Sequence, residues 1–495
     1  MKKIALLFIL LGSIQLNGQT SFLEILEGTN SINYPFDMLV KPNGNTIFNV
    51  NSINNNSFVY TNEIFEFSPD GEIINHLFFC DSSSHWQTFT HLFYIEDTLF
   101  VLGWGKKIGQ QPYPYLLLKK FDGNMQVIHS YEMRINMPAM LHGMYAGQIK
   151  YFNNKFVYFS AAGATNSYPF YAEITRDGEV KRFEIDNQPD GTKIPYDFMQ
   201  LRDMSGYQVY SFLFNLSNSL LGGYLVDYDN DMIVKRRVKL PEEFFSYFTQ
   251  VPINDTTYYL SGLWMDYATT TGKKAGVLKM NTEGDLLERF LYMPVVDSSA
   301  GPAYRHSLEM LPDGNLIFCC TDNIVLELGP QPYPTRISLL KLTPDLKVIW
   351  HRFIGADDAK YDAFQMKTTP GEEIVILGAY SAAPPPNNWV DQDILFIKTD
   401  KDGLITGTND ELHEISSVEA IVCPNPAQDV IYIEYSLAYS SATFTLMDIS
   451  GKTMLEKTLL ANKSNINIAA IPAGTYVYRV VNQNGLHESG KIVLK

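Results

Sequence analysis

The chain has few cysteines for its length. Its 495 residues include four, Cys80, Cys319, Cys320 and Cys423, which show neither C-x-x-C spacing nor the density of a disulfide scaffold. We interpret them as small buried hydrophobic residues rather than as metal or redox ligands. Cys319 and Cys320 are adjacent in a predicted strand, so their side chains are expected on opposite faces of a sheet.

Basic residues and long apolar runs are also scarce. Lys and Arg number 38 against 54 Asp and Glu, a net charge of -16, and nucleic acid is therefore not an expected partner. The apolar run Ile4–Leu11 is far shorter than the roughly 20 residues that span a bilayer. It follows Lys2 and Lys3 and precedes small and polar residues. We therefore predict a signal peptide over residues 1–18 and no transmembrane segment.

Short catalytic motifs are missing as well. The chain contains no H-E-x-x-H, G-x-S-x-G, phosphate-loop or dinucleotide-binding pattern, and no S-x-D-x-G-x-T-W box. Residues 227–231 resemble the start of a calcium loop, but Met232 stands where such a loop needs Gly and Val238 where it needs Glu. The sequence therefore predicts no metal site, no cofactor and no catalytic residue that can be named.

Residues 36–406 contain a repeat instead. A strand followed by an acidic residue and, in most copies, Gly recurs at spacings of 52, 55, 52, 54, 62 and 57 residues. Glycine at the second position would supply the positive φ of a tight turn. The copies are Asp70-Gly71, Asp122-Gly123, Asp177-Gly178, Asp229-Asn230, Glu283-Gly284, Asp345-Leu346 and Asp402-Gly403.

Each copy has room for four short strands. A four-stranded antiparallel unit cannot bury both faces alone, whereas copies stacked around an axis cover one another and protect their edges. We therefore predict an all-β fold with a seven-bladed β-propeller over residues 20–406, six or eight blades being the alternatives. The segment 21–26 is expected to supply the outer strand of the last blade, the alternative being a free N-terminal strand.

The polar segment 407–417 is a predicted linker, and 418–495 alternates short strands with turns, as a small antiparallel sandwich does. Its landmarks are Pro424, Asn425 and Pro426, then Asp448, Gly451 and Lys452 of a D-x-x-G-K turn, then Gly474, Tyr476, Gly490 and Lys491. In this order the landmarks resemble the C-terminal sorting domain (type A) of cargo exported by the type IX secretion system of Bacteroidetes. An ordinary immunoglobulin-like module is the alternative. The resemblance implies that the secretion machinery is a partner and that the protein is secreted or anchored at the outer-membrane surface.

Binding residues are expected on the long, variable loops of the propeller, because loops on a rigid scaffold carry function. Aromatic side chains stack on sugars and anchor protein contacts, although they also cap the ends of blades. The candidate residues are Trp86, Trp104, Tyr113, Trp264, Tyr304, Arg305, His306, Tyr333, Arg336 and Trp389.

The sequence thus predicts a non-catalytic module that binds a glycan or a protein. A propeller enzyme acting on extracellular glycans, either a lyase or a hydrolase, is one alternative, and an adhesin-like structural protein is another.

Overall fold

The structure is a computed structural model. It describes residues 21–26, 32–53, 60–79, 84–107, 115–134, 147–162, 168–185, 192–201, 203–214, 220–240, 244–264, 273–292, 299–322, 335–356, 359–382, 392–405, 420–423, 425–435, 441–460, 463–481 and 487–495. The predicted signal peptide and the predicted linker lie outside these ranges.

The first twenty-nine strands form seven antiparallel sheets. In chain order they are β1 (Phe22–Leu26), β2 (Ile32–Val40), β3 (Thr46–Ile53), β4 (Tyr60–Phe67), β5 (Ile73–Phe79), β6 (Ser84–Ile95), β7 (Thr98–Lys107), β8 (Tyr115–Phe121), β9 (Val127–Arg134), β10 (Gln148–Phe152), β11 (Lys155–Ala162), β12 (Tyr168–Thr175), β13 (Val180–Ile185), β14 (Thr192–Gln200), β15 (Gly206–Phe214), β16 (Leu220–Asp229), β17 (Val234–Lys239), β18 (Phe244–Pro252), β19 (Thr257–Trp264), β20 (Lys274–Asn281), β21 (Leu286–Tyr292), β22 (Ala300–Pro302), β23 (Leu308–Met310), β24 (Leu316–Asp322), β25 (Arg336–Leu342), β26 (Val348–Ile354), β27 (Ala359–Thr368), β28 (Ile374–Ala382) and β29 (Asp393–Thr399). The sheets are β2–β5, β6–β9, β10–β13, β14–β17, β18–β21, β22–β26, and β27–β29 with β1.

The turn after the third strand of each sheet has the same hydrogen bonds in all seven sheets. Its first residue is Ser, Thr, Asp or Asn, and the side-chain oxygen accepts a hydrogen bond from the amide four residues later. The backbone carbonyl of that residue accepts from the amide three residues later. These first residues are Ser68, Asp122, Thr175, Asp229, Asn281, Thr343 and Asp400.

The fourth residue of this turn has positive φ, which corrects the sequence alignment in two sheets. Met125 and Met232 hold it, with φ of 59° and 60°, where Gly123 and Asn230 had been expected. The side-chain acceptor at the first residue sets the turn, since it fixes which later amide is bonded. The turns of the second and fourth sheets therefore begin at Asp122 and Asp229, two residues later than the expected alignment.

Seven clusters of buried apolar side chains lie between the sheets, one for each neighbouring pair. Successive residues of one strand enter different clusters: Leu116 packs between the second and third sheets and Leu117 between the first and second. Cys319 likewise packs between the sixth and seventh sheets and Cys320 between the fifth and sixth. Both are free thiols in the core. Burial on both faces explains why the middle strands are continuously apolar.

The seventh sheet also packs against the first, which closes the ring. Strand β1 lies antiparallel to β29, with Ile25 opposite Leu395, and is the outermost strand of that sheet. The ring of Phe22 lies 5.5 Å from that of Phe396. Both belong to a cluster that contains Phe48 of the first sheet. The two ends of the propeller chain therefore share one hydrophobic interface.

The remaining strands form two smaller sheets, with orders β30-β31-β34 and β33-β32-β35-β36. Their bounds are β30 (Ala420–Cys423), β31 (Val430–Tyr435), β32 (Ala442–Asp448), β33 (Thr453–Leu459), β34 (Lys463–Asn467), β35 (Gly474–Val481) and β36 (His487–Leu494). One core joins the two sheets, with Ile431, Phe444 and Ile492 buried. The expected fold, a seven-bladed propeller followed by a small antiparallel sandwich, is confirmed.

Candidate functional site

The innermost strands of all seven sheets surround a cavity of about 300 Å³ on the propeller axis. In the sixth sheet, the cavity is lined by the short segment that connects β22 to β23, which contains Arg305 and His306. The lining side chains are largely polar. The polar members are Asp37, Thr90, His91, Gln148, Lys150, Asp197, Thr249, Gln250, Arg305, His306, Gln365 and Lys367.

Hydrogen bonds link each inner segment to the next and form a closed ring around this cavity. Most of them join a polar side chain of one sheet to a backbone amide of its neighbour. In order, they are Leu92 N to Asp37 Oδ2 (2.7 Å), Ile149 N to His91 Nε2 (3.2 Å), Lys150 Nζ to Asp197 Oδ1 (2.7 Å), Gln250 N to Asp197 Oδ2 (3.0 Å), Ser307 N to Thr249 Oγ1 (2.9 Å), Met366 N to His306 O (2.9 Å) and Gln365 Nε2 to Asp37 Oδ1 (2.9 Å).

A β-bulge directs these side chains toward the neighbouring sheet. The pairing of the first strand with the second shifts just before Asp37, His91, Asp197, Thr249 and Gln365. A bulge adds one unpaired residue and turns the strand, so the next side chain leaves the regular alternation. The polar residue after each bulge thereby meets the adjacent inner strand.

The carboxylates at the axis are held by several donors each. Asp37 accepts hydrogen bonds from the amides of Met38 and Leu92 as well as from Gln365. Burial nevertheless raises the pKa of Asp37, and these bonds offset only part of that effect. Asp197 accepts from the amides of Phe198 and Gln250.

Glu309 lies beside the cavity, and Thr368 and Lys367 bind its carboxylate. Its Oε2 accepts from the amide and hydroxyl of Thr368 at 2.6 and 2.7 Å. Its Oε1 lies 3.2 Å from Lys367 Nζ and 3.3 Å from His306 Nε2. Burial alone would raise the pKa of Glu309, but the bond with His306 and the charge of Lys367 lower it to about 2.

Burial lowers the pKa of two histidines at the axis. Burial lowers the pKa of His91 well below its usual range, and the charge of Arg305 lowers it further. His91 Nε2 accepts a bond from the Ile149 amide, so its proton is on Nδ1, 2.9 Å from Thr90 Oγ1. Burial also lowers the pKa of His306.

Arg305 differs from the other two cations of the cavity. Lys150 and Lys367 each have a carboxylate partner, at 2.7 and 3.2 Å. The guanidinium of Arg305 lies over the ring of Phe36, 4.7 Å from its centroid. Among the described residues, no hydrogen-bond acceptor or carboxylate contacts that guanidinium. Burial lowers the pKa of Arg305, and the charge of Asp37 opposes this effect.

Two side-chain amides leave their oxygens without partners in the described part of the chain. Gln365 Nε2 donates to Asp37 and to the carbonyl of Met38 at 2.9 and 3.1 Å, which fixes the orientation of the amide. Gln250 Nε2 donates to Gln208 Oε1 at 3.3 Å. The Oε1 atoms of Gln250 and Gln365 are buried and accept no hydrogen bond from a described residue.

The candidate residues from the sequence occupy several places. Arg305 and His306 line the cavity, and Tyr304 next to them is 56% exposed. Trp104 is in the core and donates to Tyr158 Oη at 2.9 Å. Trp264 is half-buried, with Lys274 Nζ 4.4 Å from its ring centroid.

Of the remaining candidates, the structure describes only the side chain of Arg336. Arg336 begins β25, opposite Asp322. Tyr113, Tyr333 and Trp389 lie outside the described residues, as does the side chain of Trp86. The propeller loops on which binding residues were expected lie largely outside them too.

Sequence reasoning missed most of the polar residues at the axis, because each is isolated in its own copy of the repeat. The sequence does contain a signal in the first strand of three sheets. There an aromatic residue, a polar residue and an apolar residue follow one another. The triplets are Phe36-Asp37-Met38, Tyr196-Asp197-Phe198 and Phe364-Gln365-Met366. The aromatic residue is the bulged position and the polar one reaches the neighbouring sheet.

Residues 421–495 match the family described as the secretion system C-terminal sorting domain. The chain carries a secretion sorting domain. It is a β-propeller protein exported through the type IX secretion system, to be released or held at the cell surface. Within the described residues, no helix is long and apolar enough to cross a membrane.

Solved structures similar to this chain include other propellers. The β-propeller domain of the Trilobed protease from Pyrococcus furiosus is 9% identical, covers 77% of this chain and 98% of its own, and has a TM-score of 0.41. Drosophila Plexin A in complex with Semaphorin 1b is 8% identical, with coverage of 76% and 86% and a TM-score of 0.44. The α-L-arabinofuranosidase Arb93A of Fusarium graminearum is 11% identical, with coverage of 76% and 98% and a TM-score of 0.35. No curated protein sequence matches the chain.

Proposed function

We propose that this chain is an extracellular binding protein. The sorting domain takes it out of the cell, and the propeller holds a glycan or a protein there without changing it chemically. The observation that carries this proposal is the state of the axial carboxylates, which are engaged in holding the sheets together.

Glycan hydrolysis normally requires two carboxyl groups, one of them a protonated acid at working pH. Asp37 and Asp197 accept hydrogen bonds from amides of neighbouring inner strands. Glu309, with a pKa of about 2, is ionised at pH 7. Groups with these roles support binding over acid–base catalysis.

An enzyme that acts on extracellular glycans is the second candidate. Burial raises the pKa of Asp37, as the environment of a general acid does. Its two oxygens already accept bonds from Leu92 and Gln365. A proton on Asp37 would therefore weaken the ring between the first, second and seventh sheets.

The test uses the mature exported protein on an array of neutral and acidic glycans and of surface proteins. Any glycan that binds is then incubated with the protein, and new reducing ends and unsaturated sugar products are measured. We expect retention of the ligand and no product above a protein-free control. Product release would establish the enzyme instead, and an array without any binding would contradict a binding role.

A further inference from the structure

We propose that the axial cavity binds a sugar acid, with the ligand carboxylate on Arg305. This inference rests on the proposed binding function and names the chemical class of its ligand. Its basis is that, among the described residues, Arg305 is a cation of the cavity without an anionic partner, and that two buried amide oxygens accept no hydrogen bond.

The guanidinium of Arg305 indicates that the ligand carries a negative charge. A charged group removed from bulk water is stabilised by an opposite charge and by hydrogen bonds to its donors. Lys150 and Lys367 have carboxylate partners, whereas the described contact of the Arg305 guanidinium is with the face of Phe36. The planar fork of a guanidinium matches a carboxylate through two parallel hydrogen bonds.

The charges around Arg305 favour a singly charged ligand. Asp37 is near enough to raise the pKa of Arg305, although the two do not form an ion pair. Asp197 also lines the cavity. A phosphate dianion would meet more repulsion from these carboxylates than a single carboxylate would.

The two unpaired amide oxygens indicate that the ligand also carries hydroxyl groups, which can donate hydrogen bonds to them. Gln250 and Gln365 direct their NH2 groups at protein acceptors, which leaves each Oε1 as an acceptor. Gln365 is 3% exposed and Gln250 6%, so bulk water satisfies neither well. Ligand hydroxyls are donors of the right kind, because a carboxylate cannot donate at neutral pH.

The volume of the cavity limits the ligand to a single small unit. A space of about 300 Å³ holds roughly ten water molecules at about 30 Å³ each and is at the lower limit of small-molecule pockets. A carboxylate, several hydroxyls and this size together describe one uronic acid residue.

The experiment measures binding of glucuronate to the mature full-length protein by titration calorimetry. Glucose is the neutral counterpart, and inorganic phosphate is the dianionic one. Arg305→Gln removes the charge from the cavity, whereas Arg289→Gln removes one from the exposed outer strand β21 and is the matched control. We expect Arg305→Gln to lower the affinity for glucuronate by at least about tenfold, since hydrogen bonds to charged groups contribute that much binding energy. Arg289→Gln should leave it unchanged, and glucose should bind far more weakly.

Arg305→Lys keeps the charge but loses the planar fork, so it tests the site if the Gln variant does not fold. This variant should lower the affinity for glucuronate and leave the affinity for glucose unchanged. Equal affinity of wild type and Arg305→Gln, or no glucuronate binding by wild type, would overturn the inference. Phosphate binding more tightly than glucuronate would also overturn it. In each case retention of another ligand on the array would leave the proposed binding function standing.

Discussion

Replacing Phe22 with Ala should destabilise the whole propeller, because its side chain helps to close the ring. Phe22 is 4% exposed and packs against Phe396 of its own sheet. It also touches the turn of the first sheet, where a Cβ added to Gly71 would lie 2.9 Å from the Phe22 ring. Truncation of a buried Phe to Ala costs about 3–5 kcal/mol. We expect about 3 kcal/mol, since β1 is an outermost strand.

The assay is guanidinium unfolding of the mature protein followed by tryptophan fluorescence. All five tryptophans, Trp86, Trp104, Trp264, Trp350 and Trp389, precede residue 421, so the signal reports the propeller and not the sorting domain. Phe353→Ala is the control. Phe353 is also in an outermost strand but is 54% exposed, and its loss should cost within about 0.5 kcal/mol. Equal destabilisation by both variants would refute closure through β1.

Three further outcomes follow from single features of the chain. Gly178→Ala should destabilise by more than about 1 kcal/mol, because its φ is 72° and a Cβ would lie 2.4 Å from Tyr131. Gly123→Ala should be near neutral in the same unfolding assay, and equal losses would contradict the turn alignment. Glu309→Gln should cost up to roughly 3 kcal/mol at pH 7. The lowered pKa of Glu309 stabilises the folded state above about pH 4.5, so this difference should vanish as pH falls toward 2, and a difference independent of pH would refute the ion-pair role. Deletion of 421–495 should keep the protein inside the cell envelope. Immunoblots of medium and cell fractions check this, and normal arrival outside would contradict the sorting role.

The propeller was predictable from the sequence because its repeat depends on local chemistry. The hydrogen bonds of each turn involve five consecutive residues, and the apolar strands between turns are continuous. The alignment failed at Gly123 and Asn230, where Asp122 and Asp229 begin the turn and methionine takes the positive φ. A glycine signal alone cannot reveal a turn that is set by its side-chain acceptor.

Most residues of the axial site could not be predicted from the sequence, because they are far apart in the chain and the fold alone brings them together. Arg305 and His306 are predicted loop residues, but the other residues that line the cavity come from strands far away in the chain. Asp37 meets Gln365 only because the ring closes, since the two residues are 328 positions apart in the sequence. Polar residues from separate copies of the repeat become a site only when seven sheets place them around one axis.

A crystal structure of the mature protein with glucuronate tests the central claim most directly. The account predicts seven sheets in a closed ring and sugar-acid density on the axis, with two carboxylate oxygens within hydrogen-bond distance of the Arg305 guanidinium. An open arc of sheets, or glucuronate bound elsewhere while the cavity holds only water, would contradict it.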